Sequence, residues 1–294
     1  MKKSLIVSVV QQACGEDRQT NLALSIAKIH EAAASQADLV VLPELHLDPY
    51  FCQNEDVIHF ELAQPIPGPT TELLSQLAKQ LKIVIVSTIF ERRTAGLYHN
   101  TAVVFDKDGS MVGKYRKMHI PDDPAFYEKY YFTPGDLGFK PIETSIGKLG
   151  VLICWDQWFP EAARLMTLAG AELLIYPTAI GWDKKDALDE QQRQLDAWIT
   201  IQRAHAVANG IPVIACNRIG FEKAPDSDSG IEFWGNSFIA GPQGEFLIRS
   251  DESTNELLTC TLDGSRSERV RQIWPYLRDR RIDDYADLTK RFID

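Results

Sequence analysis

No stretch of this sequence approaches the roughly 20 consecutive apolar residues that a membrane-spanning helix requires. The run Leu5 to Val10, which follows a basic start, is too short for the hydrophobic region of a signal peptide and reads instead as a first β-strand. Basic charge is in deficit: 31 lysines and arginines stand against 41 aspartates and glutamates, for a net charge of −10. That balance argues against a general nucleic-acid binder, which presents a basic surface to phosphates, and is compatible with a cationic substrate. Five cysteines, Cys14, Cys52, Cys154, Cys216 and Cys260, are scattered, odd in number and without CxxC spacing. Neither a disulfide framework nor a zinc ribbon is indicated, and a reducing cytoplasm is the expected compartment. The GxSxG, HExxH, Walker and GxGxxG patterns are all missing, so serine hydrolase, zinc peptidase, NTPase and dinucleotide-binding readings lose their support. None of the six histidines has a partner at metal-ligand spacing; His119 and His205 are taken as hydrogen-bonded structural residues, and no metal or cofactor is expected.

What is present is an ordinary globular composition, 45% hydrophobic and 24% charged, with short β-branched runs alternating with helical patterns. Strands are expected at 4–10, 38–42, 83–89, 98–105 and 111–115, with helices at 19–35 and 70–81. The order then repeats: strands at 149–154, 172–176, 211–217, 233–240 and 245–249, with helices at 160–170 and 187–208. HNTAVVFDKDGSMVGKY echoes GNSFIAGPQGEFLI, setting Asn100 against Asn236 and Gly109 against Gly244. Two related halves without a Pro/Gly/Ser-rich linker predict one α/β domain with mixed sheets over residues 1–263, a four-layer α-β-β-α sandwich with an internal pseudo-two-fold repeat. The segment 264–294 is rich in arginine and aspartate and carries Ile273, Trp274, Tyr276, Leu277 and Tyr285. It is either a solvated helix or an arm that packs on another subunit.

Three residues carry the chemical signal. Cys154 ends the apolar run KLGVLIC and precedes a helix opened by Pro160 and Glu161, where a helix N-terminus and a nearby cation would favour thiolate. Cys216, in VIACNR, has a similar local pattern and is as consistent with a buried core cysteine. Glu44 terminates another apolar strand, after Pro43, and burial would suit it to general-base work on a thiol. Lys117, in GKYRKMHIP, would both stabilise thiolate and donate to an oxyanion if it lay beside the cysteine; otherwise it belongs to a solvated charge cluster with Lys114 and Arg116.

Together LPEL at Glu44, YRKMHIP at Lys117 and CWDQWFPE at Cys154 resemble the nitrilase, or carbon–nitrogen hydrolase, superfamily, whose Glu-Lys-Cys triad sits on a duplicated α-β-β-α sandwich. The resemblance covers residues 4 to about 263. It implies a catalytic trio of Glu44, Lys117 and Cys154, leaves Cys216 structural, and makes Glu128 the additional glutamate that positions substrate and lysine. Within the superfamily KMHIPDDPAFYEKYYFTPGD, YPTAIGW and ACNRIG are similar to the amidohydrolases that act on N-carbamoylputrescine. This implies a small cationic carbamoyl amine as substrate, a homo-oligomer of two or more subunits, and no cofactor. Such a substrate needs an acid for its ammonium, for which Asp183 is the candidate, and apolar walls, for which Tyr50, Trp155, Trp158 and Trp182 are candidates, Tyr50 being also able to donate through its hydroxyl. The rival readings are an amidase for a carboxylate-bearing carbamoyl amino acid or ω-amide, and an inactive binding or scaffold protein.

Overall fold

A computed structural model describes residues 3–225, 228–251 and 254–293. In the first half β1 (Ser4–Ala13), α1 (Arg18–Ala34), β2 (Leu39–Val41), α2 (Pro69–Leu81), β3 (Val84–Thr94), β4 (Leu97–Phe105) and β5 (Met111–Arg116) follow one another, and the one-turn α3 (Glu128–Tyr131) closes a long connection. The second half runs β6 (Ile142–Thr144), β7 (Gly147–Val151), α4 (Pro160–Leu168), β8 (Leu173–Pro177), β9 (Gly181–Asp183), α5 (Leu188–Asn209) and β10 (Val213–Cys216). It continues through β11 (Arg218–Lys223), β12 (Gly230–Trp234), β13 (Phe238–Ala240), β14 (Phe246–Arg249), β15 (Glu256–Asp263) and α6 (Arg266–Ile273).

The repeat is visible in the strand order. One sheet reads β5-β4-β3-β2-β1 and the other β14-β13-β10-β8-β7, the same order of equivalent strands, with β11, β12, β9 and β15 added to the first and β6 to the second. Gly109 and Gly244 hold equivalent turns, both in the left-handed region at φ +87° and +77°. Asn100 lies within β4, whereas Asn236 precedes β13 at φ +55°, so that pair has diverged.

Alternation along the strands builds the layers. Val7, Val9, Leu39, Val41, Val84 and Val86 point at Leu149, Val151, Leu173, Ile175, Val213 and Ala215 of the other sheet. The intervening Val10, Val40, Ile83 and Ile85 instead meet Ile29 and Ala32 of α1 and Leu74 and Ala78 of α2. On the far side α4 and α5 bring Ala162, Met166, Leu195 and Trp198 to the second sheet. The result is the expected α-β-β-α sandwich.

Three differences from the sequence reading have physical causes. The run 233–240 is two strands rather than one, because Gly235 and Asn236 both adopt positive φ and turn the chain from one sheet into the other. Glu256–Asp263 is a full strand, antiparallel to β1 from Ser4↔Asp263 to Gln11↔Glu256. In the tail, α6 covers eight residues and the side chains of Ile273, Trp274, Ile282, Leu288 and Phe292 stay exposed. No helix among the described residues is long and apolar enough to cross a membrane.

Candidate active site

The parallel strands of both sheets end on the same side of the sandwich, the place where α/β sheets offer loop side chains to ligands. Glu44 follows β2, Lys117 follows β5 and Cys154 follows β7. The halves are stitched there by the Glu44 N–H, which donates to the Thr178 carbonyl at 3.4 Å.

All three side chains are buried. Lys117 Nζ donates to Glu44 Oε1 at 2.9 Å and to Glu128 Oε2 at 2.6 Å. Asn100 Nδ2 also donates to Glu44 Oε1, at 2.7 Å, so Glu44 Oε2 is left with no protein partner among the described residues. Tyr50 Oη donates to Glu128 Oε1 at 2.7 Å. Cys154 has φ +42°, a left-handed turn that few side-chain-bearing residues adopt, and its thiol has one weak contact, the Ala179 carbonyl at 3.9 Å. The turn is held by Asp156, whose carboxylate accepts from the Ile153 N–H at 2.9 Å, the His119 N–H at 3.0 Å and the Tyr115 hydroxyl at 2.8 Å.

Electrostatics departs from the sequence expectation in one respect. The thiol of Cys154 is pushed well above its ordinary range, first by burial and then by the Glu44 carboxylate, with Lys117 only partly opposing. Cys154 starts a five-residue 3₁₀ turn, and α4 begins at Pro160, where the sequence places a helix start. Burial and the Glu44 carboxylate thus favour the thiol form, which suits a nucleophile activated by a neighbouring base. Burial also lifts Glu128, to about 7, against the pull of Lys117 and with the push of Glu44. Burial works against the Lys117 ammonium, yet Glu128 and Glu44 outweigh it and hold that pKa above its ordinary value. One cation thus serves two carboxylates in a buried site.

A cavity of about 580 Å³ opens onto Cys154 and Glu128. Its walls include Trp155, Trp158, Phe126, Trp234, Gly181 and Ala197, and three aspartates, Asp123, Asp183 and Asp186, lie on it. Gly181 is required, since a Cβ there would meet the Glu232 carbonyl at 2.2 Å. Asp183, Trp155 and Trp158 therefore sit where the sequence reading put them. Trp182 does not: alternation along β9 turns it to the opposite face from Gly181 and Asp183, where its indole N–H donates to the Gln191 carbonyl at 2.9 Å and its ring packs on Trp234. Tyr50 is not on the wall either; it stands behind Glu128 as a hydrogen-bond donor. Cys216 is a core residue, its thiol donating to the Val10 carbonyl at 3.1 Å. His119 hydrogen-bonds Asp156 and stacks on Phe159, and His205 bonds the Gln157 carbonyl. Sequence reasoning missed Asn100, Asp123 and Asp186; of these only Asp123 carried a signal, lying within the conspicuous segment after Lys117.

A nucleophile, an unpartnered carboxylate oxygen and a buried ammonium suit acyl transfer through sulfur. Comparison with known proteins agrees. The family model described as carbon–nitrogen hydrolase matches residues 6–272. An N-carbamoylputrescine amidase of Arabidopsis thaliana is 43% identical over 98% of this chain and 96% of its own. A citrullinase of Francisella tularensis is 40% identical over 97% of this chain and 98% of its own. The crystal structure of a carbon–nitrogen hydrolase from Helicobacter pylori G27 is 50% identical, with a TM-score of 0.96 over 99% of this chain and 100% of that one. Likeness of this extent, over both sheets and across every element that carries the site, makes this chain a member of the carbon–nitrogen hydrolase family, an enzyme that cleaves carbon–nitrogen bonds.

Proposed function

We propose that the protein hydrolyses N-carbamoylputrescine to putrescine, carbon dioxide and ammonia. The observation that carries the substrate choice is the charge of the cavity: Asp123, Asp183, Asp186 and Glu128 lie on it, with no lysine, arginine or histidine among its described lining residues. Lys184 turns away to Glu232 at 2.7 Å and over the Phe221 ring. An ammonium at the far end of a butyl chain is welcome in such a site, whereas a carboxylate would be buried without a partner.

In the mechanism Glu44 Oε2 takes the Cys154 proton and the sulfur attacks the ureido carbon. Lys117, with the N–H of Trp155, holds the oxyanion; collapse breaks one C–N bond as Glu44 returns the proton to the departing nitrogen. Glu44 then takes a proton from water, which attacks the S-carbonyl carbon; the C–S bond breaks and Glu44 returns that proton to the departing sulfur. The carbamate so formed loses carbon dioxide, and either order of nitrogen departure gives the same products. Glu128 and Tyr50 keep Lys117 in place.

Ammonia release from N-carbamoylputrescine, citrulline and N-carbamoyl-β-alanine, each at several concentrations, tests the assignment. The diamine derivative is expected to dominate in kcat/KM, and Asp183→Asn to raise its KM about 10-fold, the loss of one charge-assisted contact, with little change in kcat. Preference for citrulline would overturn the substrate while leaving the chemistry standing.

The exposed apolar side chains between Ile273 and Phe292 support a homo-oligomer in which a second copy covers the tail. Sedimentation should show the full chain as a dimer or larger and a chain ending at 264 as smaller; equal masses would refute the arm. All five cysteines are unpaired, in keeping with a reducing cytoplasm.

A further inference from the structure

Arg218 and Glu222 form a buried ion pair, 2.9 Å between Nη1 and Oε1, and neither residue lies on the catalytic cavity. All five guanidinium N–H groups are spent. Nε and Nη2 donate to the Glu44 carbonyl at 3.0 and 2.9 Å, Nη2 also to the Leu45 carbonyl, and Nη1 to the Asp48 carbonyl at 3.0 Å and to Glu222. These carbonyls converge because Leu45, directly after Glu44, has φ +49° and curls the chain around the guanidinium. The other oxygen of Glu222 accepts the backbone N–H of Tyr50 at 2.5 Å, and the Tyr50 hydroxyl in turn holds Glu128. One ion pair therefore touches the backbone of Glu44 and, through Tyr50, the side chain of Glu128.

We propose that Arg218 and Glu222 are positioning residues that fix the separation of the Glu44 and Glu128 carboxylates on either side of Lys117. A fully buried ion pair is a poor source of net stability compared with apolar packing, so its presence here calls for another role. The guanidinium fork suits it: a lysine, with three donors on a flexible stem, cannot reach the Glu44, Leu45 and Asp48 carbonyls and Glu222 together. Loss of the clamp lets the turn after β2 relax, and the base moves relative to the thiol.

The inference rests on the reading of Glu44 as base and Cys154 as nucleophile. The full chain is compared with Arg218→Lys, Glu222→Gln and, as a control destabilised far from the site, Leu74→Ala, whose side chain packs between α2 and the first sheet. Three quantities are read: kcat and KM for N-carbamoylputrescine, the rate at which iodoacetamide alkylates Cys154 as followed by peptide mass, and Tm. Arg218→Lys is expected to lower kcat about 100-fold and slow Cys154 alkylation comparably while KM moves less than about 3-fold. Glu222→Gln, which still accepts from Tyr50 but leaves the guanidinium charge unpaired, is expected to lose about 10-fold in the same direction. Leu74→Ala should lower Tm alone. If both clamp variants behave like Leu74→Ala, with kcat and alkylation unchanged, the proposal is overturned; if Arg218→Lys does not fold, an unchanged kcat in Glu222→Gln overturns it by itself. Should Cys154 of the unaltered protein alkylate no faster than the other four cysteines, the reading of the nucleophile falls, and the clamp with it.

Discussion

Replacing Cys154 by alanine should lower turnover about a million-fold, to the level left when a covalent nucleophile is removed from an otherwise intact site. The reason lies in how little else at the site can attack carbon. Glu44 and Glu128 are both tied to Lys117, and the hydroxyl of Tyr50 is spent on Glu128. The fold should survive, because the thiol makes a single weak hydrogen bond at 3.9 Å and alanine tolerates the same turn no worse than cysteine. Calorimetry should show N-carbamoylputrescine still binding, since the carboxylates on the cavity are untouched, while ammonia release stops. Release that scales with the concentration of the variant would sink the covalent mechanism, whichever substrate is used.

Lys117→Met should do the greatest damage to stability of any single change at the site. Methionine fills much of the volume, so the effect is one of charge: two buried carboxylates lose their only ammonium. Breaking a buried pair in this way costs about 3–5 kcal/mol, and loss of the oxyanion donor takes about 10³-fold from kcat as well. The sign with pH follows from Glu128. Its pKa already lies above the ordinary 4.5, chiefly through burial, with Lys117 pulling it down; without Lys117 it rises further. A carboxyl with a raised folded-state pKa costs nothing below its unfolded value and progressively more as pH climbs past it. The stability deficit of Lys117→Met, read by urea unfolding, should therefore be small at about pH 4 and grow through neutrality. A deficit independent of pH would mean that packing, rather than charge, is what the ammonium supplies.

Much of this was legible in the sequence because the chemistry sits at strand ends. Glu44, Lys117 and Cys154 each follow an apolar run, and the repeated order of runs predicts two stacked sheets. What was hidden required knowing who lies beside whom. The strand Gly181–Asp183 is too short to show a period, so the facing of Trp182 could not be read from alternation. Arg218 is 174 residues from the carbonyl it clamps, and no local pattern announces such a contact. The push on the Cys154 thiol was hidden for the same reason: the sum of burial, two carboxylates and one ammonium is a property of the assembled site, while the helix expected from Pro160 is present as α4.

The duplicated strand order also defines a second, equivalent pair of positions. In the first sheet Val9 pairs with Val41, and Glu44 comes three residues after Val41. In the second Val151 pairs with Ile175, and Cys154 comes three residues after Val151. The place equivalent to Cys154 is then Gln12, and the place equivalent to Glu44 is Thr178. A fully symmetric chain would carry two matching stations, each drawing its base from one half and its sulfur from the other. Neither position carries that chemistry here: Gln12 donates to the His46 carbonyl, and Thr178 lends its own carbonyl to the N–H of Glu44. The second pair of positions is thus scaffolding for the first, and a change at Thr178 that moved its carbonyl would loosen the base beside it.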